Sequence, residues 1–100
     1  MKKSDVIRYK DANEFGKSLG LSPVDMELIR YKKELVEKLK ERRKKMRMSQ
    51  AELAKKIGSK QPAIARMEAG LVGQVSLDFL VKIALTLGVP VAIKGMGRAA

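Results

Sequence analysis

SQAELAKKIGSKQPAIARMEAG, Ser49 to Gly70, reads as helix, tight turn, helix. Ser49 is placed to cap a helix, and Glu52, three residues on, completes a capping box. Ala51, Leu53, Ala54 and Ile57 follow at helical spacing and give one apolar face. Gly58 can take the left-handed conformation that ends a helix without a Cβ penalty. Ser59 is expected to cap again, Ile64 and Met67 to face inward on the second helix, and Gly70 to stop it. Two helices this short cannot bury themselves, so other helices must cover them.

Upstream, Ser22-Pro23-Val24-Asp25 is a helix start: Ser22 caps, Pro23 takes the first helical position and Asp25 lies in the first turn. The helix is expected to run to about Lys45. Leu28, Ile29, Leu35, Val36, Leu39 and Met46 make its apolar stripe. Lys32 interrupts the stripe and is expected to lay its stem along it with the amine in water. From Arg30 to Arg47 there are ten Lys or Arg residues. Glu34, Glu37 and Glu41 partner some of them at i,i+3 and i,i+4. The remaining positive charge reads either as contact with DNA phosphates or as a solvated face. A basic helix lying on an anionic membrane is a third reading, weakened by the lack of Trp.

Downstream, Leu71 to Val75 is a loop, and Ser76 caps a helix from about Leu77 to Leu87 that Gly88 ends. Leu77, Phe79, Leu80, Ile83, Ala84 and Leu87 give it a wide apolar face, so it is a core helix. Val89 to Lys94 reads as a short strand, with Pro90 near its start. Its expected partner is Val6–Tyr9 or the same strand of a second copy. Residues 1–21 form a partly ordered arm with Phe15 and Leu19 pinned on the body. Residues 22–94 form the domain, and residues 95–100 a tail.

The totals narrow the function. One domain is the reading for 100 residues. The net charge of +11, from 22 basic and 11 acidic residues, points to nucleic acid as partner. Neither Cys nor His is present, no Gly-rich phosphate loop appears, and the carboxylates are scattered. No enzyme, cofactor or metal site is expected. Without an apolar run of about 18 residues or a secretory leader, the expected location is cytoplasmic.

The hairpin resembles the lambda repressor/Cro-like helix-turn-helix family, also called the Xre family. The matching residues are Met48-Ser49-Gln50-x-Glu52-Leu53-Ala54 with Gly58, then Ile64 and Glu68-Ala69-Gly70. The resemblance implies an all-α, lambda-repressor-like bundle of four to five helices, here with a short C-terminal strand. It implies that the second helix of the hairpin enters the major groove with its N-terminal residues at base edges. Those residues here are Ser59, Lys60, Gln61, Pro62 and Ala63, with Arg66 one turn on. Gln61 suits adenine, Arg66 or Lys60 suits guanine, and Pro62 offers a thymine methyl only an apolar contact. Gln50 matches the family's phosphate contact. Arg43, Lys44, Lys45 and Arg47 are further phosphate candidates, while Arg43 and Glu68 also match a structural pair. Three departures stand out, the first being Pro62 within the first turn of the second helix. Arg42 occupies a position that is usually apolar, and Arg47 replaces a usual Gly, where a left-handed residue is costly.

More narrowly, Asn13-Glu14-Phe15 through Leu19-Gly20-Leu21, the long helix, the hairpin, Ser76-Leu77-Asp78-Phe79-Leu80 and Gly88-Val89-Pro90-Val91-Ala92-Ile93 look like a HigA-type antitoxin. That resemblance covers about residues 12–94. It implies a homodimer on a palindromic operator that represses its own promoter and neutralises an RNase toxin. A phage or mobile-element repressor, or a nonspecific basic DNA-binding protein, is the alternative reading.

Overall fold

The structure is a computed structural model and describes residues 12–92. Its helices are α1 (Ala12–Ser18), α2 (Pro23–Lys45), α3 (Gln50–Ile57), α4 (Gln61–Glu68) and α5 (Leu77–Leu87), with a single 3-10 turn at Val72–Gln74 before α5. The starts follow the local chemistry. The Ser22 hydroxyl accepts from the Asp25 amide at 3.0 Å while the Ser22 amide donates to the Asp25 carboxylate at 3.1 Å. Ser49 and Glu52 repeat the same reciprocal pair at 3.0 and 3.1 Å. Ser76 accepts from Phe79 at 3.1 Å.

α4 differs from expectation. It begins at Gln61 with Lys60 at the capping position and no side-chain cap, so Ser59 does not cap it. Ser59 lies one residue before the capping position, where its amide closes α3 by donating to the Ala54 carbonyl at 2.8 Å. A cap would also find little to do. Pro62 has no amide hydrogen, and the Ala63 amide already donates to the Lys60 carbonyl at 3.0 Å.

The hairpin is closed by helices from both sides. Leu53, Ile64, Met67, Leu80 and Ile83 are fully buried together with Val36, Leu39 and Leu87. α5 lies under α2 and α3, so the residues expected to make its wide face do form the core. Two basic side chains of α2 tie down other elements. Lys32 does not hold its amine in water but donates to the Val75 carbonyl at 2.7 Å. Arg42, at the position expected to be apolar, donates from Nε to the Leu87 carbonyl at 3.1 Å. That contact satisfies an open carbonyl at the end of α5.

α2 ends in a Schellman arrangement. The Met48 amide donates to the Arg43 carbonyl at 3.1 Å and the Arg47 amide to the Lys44 carbonyl at 3.0 Å. The turn residue is Arg47, with φ of 54°, where α3 uses Gly58 with φ of 70°. Left-handed backbone costs a residue with a Cβ roughly 1–2 kcal/mol, and glycine's extra freedom in the unfolded chain returns part of that. Arg47→Gly is therefore expected to stabilise the domain by about 0.5–1 kcal/mol, visible as a higher urea midpoint at unchanged slope.

Two expectations at the ends are corrected. Among the described residues there is no strand: Val89–Ala92 is irregular and has no ladder partner. Its expected partner, Val6–Tyr9, lies outside the described residues, as do Ile93 and Lys94. α1 meets α2 through Gly16, where an added Cβ would collide with the Met26 sulfur. Phe15 and Leu19, expected to be pinned on the body, are both exposed.

Candidate nucleic-acid interface

α3 and α4 cross closely, and one run of hydrogen bonds links the core to the outward face of α4. The Arg43 guanidinium donates from Nε to Glu68 Oε2 at 2.6 Å and from Nη2 to Glu68 Oε1 at 2.8 Å. Its Nη1 donates to the Met48 carbonyl at 2.6 Å. Both side chains are buried. Gln50, at the start of α3, donates from Nε2 to Glu68 Oε1 at 3.0 Å. A carboxylate only accepts, so this contact fixes which way the Gln50 amide faces. Its oxygen is turned toward α4 and accepts from Gln61 Nε2 at 2.7 Å. Gln61 keeps its carbonyl oxygen and one N–H for an outside partner.

Electrostatics hold the buried pair ionised. Burial pushes the Glu68 carboxyl up, but hydrogen bonds from Arg43 and Gln50 and the Arg43 charge outweigh it, so the group sits below its ordinary value. The Arg43 guanidinium is held above its ordinary value, chiefly by its hydrogen bonds to Glu68. Among the described residues no buried side-chain polar atom lacks a partner.

The expected site residues separate into those the fold gathers and those it does not. Lys60, Gln61, Pro62 and Arg66 are exposed on α4, and Ala63 is half-buried between them. Arg66 donates from Nε to the Pro62 carbonyl at 3.3 Å, which lays its stem along the helix. Ser59 stays in the turn, half-buried. Lys44 is exposed and shares a shallow hollow with Gln50, Ala65 and Ala69, beside α4. Arg47 is exposed at the turn into α3.

Two phosphate candidates are placed apart from the exposed ones beside α4. Arg43 is buried, with its guanidinium bonded to Glu68 and Met48, the arrangement expected of the structural pair. Lys45 is one residue past Lys44, a turn of about 100° on a helix. It points to the other side of α2, beside Arg42, Val89 and Pro90, with Glu41 at 4.0 Å. Lys40, part of the same basic run and four residues before Lys44, lines the same hollow as Lys44 and Gln50.

A capped helix, a tight glycine turn and a second helix presenting Lys60, Gln61, Ala63 and Arg66 define a DNA-binding helix-turn-helix domain. The helix-turn-helix family model matches residues 39–93, and the chain belongs to that family, the lambda repressor-like or Xre type. This supports a DNA-binding transcription regulator. No curated protein and no solved structure matches the chain. Among the described residues no helix is long and apolar enough to cross a membrane, and no group of side chains could hold a metal ion.

Proposed function

We propose that the chain is a sequence-specific repressor that binds a palindromic operator as a homodimer and serves as the antitoxin of a toxin–antitoxin pair, repressing its own promoter. The observation that carries sequence-specific reading is the linkage Arg43–Glu68–Gln50–Gln61. Gln61 is oriented from behind before DNA arrives, so little side-chain freedom is lost when it pairs with a base. Its remaining carbonyl and N–H are the two groups that a bidentate contact to adenine uses, while Arg66 reads guanine. Gln50, Lys40, Lys44 and Arg47 supply contacts to phosphate, which set register rather than sequence. The antitoxin part rests on the likeness of residues 12–94 to HigA-type proteins. It is tested by whether the neighbouring reading frame encodes a small basic RNase that co-purifies with this chain.

The operator reading is tested by fluorescence anisotropy at about 150 mM salt, since affinities are meaningful only at stated salt. One duplex carries the chain's own upstream region and the other a shuffled version. The upstream duplex is expected to bind at least about tenfold tighter, and Arg66→Ala to remove that difference, a loss of roughly 1–3 kcal/mol. Equal binding of both duplexes, with a steep salt slope and no effect of Arg66→Ala, would instead identify a nonspecific charge-driven binder.

A further inference from the structure

We infer that two copies of this chain pair through the N-terminal half of α2, with the seam Val24, Leu28, Tyr31 and Leu35 of one copy packed on the same seam of the other. This rests on the homodimeric reading above and names its surface.

α2 carries two apolar seams. One, through Ile29, Val36 and Leu39, is used by the core. The other runs Val24, Leu28, Tyr31, Leu35 at intervals of four, three and four residues, the spacing by which one helix meets another in knobs-into-holes packing, and joins the core at Leu35. Along it burial falls away from the body. Leu35 is buried and Leu28 is 41% exposed, while Val24 is 65% exposed. Beside this seam lies a groove of about 360 Å³, walled by Leu77 of α5 and by Pro90, Val91 and Ala92, with Arg30, Glu34 and Lys38 also lining it. An exposed apolar ridge next to a groove with an apolar wall and charges of both signs can pair with its own copy, which is what a two-fold interface requires.

Charge selects a second copy as the occupant. Two chains of +11 repel wherever their basic surfaces meet. Residues 30–92 hold fifteen Lys or Arg against six Asp or Glu. Residues 12–29 hold only Lys17 against Glu14, Asp25 and Glu27. On the flank of the seam Arg30 is paired with Glu27 and with Glu34. Contact there brings together the end of the described chain that carries more acidic than basic residues, away from the basic run of α2. The seam and groove share no residue with α3 or α4, so both recognition helices stay open to DNA. Leu85 on α5 is 79% exposed and lies on a different helix, so it serves as the comparison position.

The chain has no cysteine, so single-cysteine variants report one position each. Sedimentation velocity from micromolar to submillimolar protein is paired with bismaleimide crosslinking of Leu28→Cys and Leu85→Cys. The expected result is a wild-type dimer, efficient crosslinking of Leu28→Cys and none of Leu85→Cys. The double substitution Val24→Glu with Leu28→Glu should sediment as a monomer with an unchanged helical circular-dichroism signal. A dimer that survives both glutamates, or that crosslinks only through Leu85→Cys, overturns the surface and leaves the homodimeric reading intact. A wild type that is monomeric throughout overturns both. Should the double glutamate variant fail to fold, the cysteine pair decides alone, since those substitutions are small and exposed.

Discussion

Glu68→Ala is expected to destabilise the domain by about 3–5 kcal/mol, because it strands the Arg43 guanidinium without a counter-charge in a buried place. Total stabilities of small domains run to roughly 5–15 kcal/mol, so the variant should be partly unfolded near body temperature. Urea titration followed by circular dichroism measures the loss. The pair itself is not the source of all that energy. Arg43→Met with Glu68→Leu, which replaces both charges by apolar groups of similar size, should recover most of it. Operator discrimination should not recover in the double variant, since Gln50 then has no carboxylate to fix its amide and Gln61 loses its support. Acid gives an independent reading. The Glu68 carboxyl is depressed below its ordinary value of 4.5. A depressed carboxylate contributes stability that is present above the ordinary value and lost as pH falls through the folded one. Stability should therefore drop below about pH 4.5, and the double apolar variant should show a shallower acid limb.

The second large effect comes from the core. Leu80→Ala should cost about 2–5 kcal/mol, the range for deleting a fully buried leucine side chain. Leu80 is 0% exposed, under α2 and α3, whereas Leu85 on the same helix is 79% exposed. Leu85→Ala should stay within about 0.5 kcal/mol. The contrast between two leucines five residues apart tests whether α5 is seated as described. A small difference between them would mean that α5 is rotated or loosely packed.

What could be read from the chain was local. Ser22 with Asp25, Ser49 with Glu52, and Ser76 each specify a helix start through contacts three residues long. Gly58 and Gly88 specify ends through a backbone angle. Given those boundaries, the 3.6-residue period assigns Leu53, Ile64, Met67 and Leu80 to one interior. The misses are contacts between residues far apart in sequence. Lys32 reaches Val75 across 43 residues and Arg42 reaches Leu87 across 45. No periodicity announces a long basic side chain that ends on a carbonyl. The same limit applied at the site. Lys44 and Lys45 look interchangeable in a basic run, yet the helix sends them to different flanks, and Arg43 is buried against Glu68. Ser59 was misread because a hydroxyl one residue early looks like a cap until the closure of α3 is known. The strand expected over Val89–Lys94 is not shown in its described part, Val89–Ala92, and a strand needs another beside it, which spacing along one segment does not supply.

The linkage from Arg43 to Gln61 also bears on how such a chain could change its target. Positions 60, 63 and 66 have no hydrogen bond to the buried pair, so exchanging residues there would alter base preference without disturbing the interior. Gln61 is different: a replacement there removes the donor on which the Gln50 oxygen depends. Retargeting is therefore expected to proceed through 60, 63 and 66 first. A change at 61 would succeed only alongside a compensating change at 50. The recognition surface thus divides into interchangeable letters and one letter that is spelled jointly by two helices.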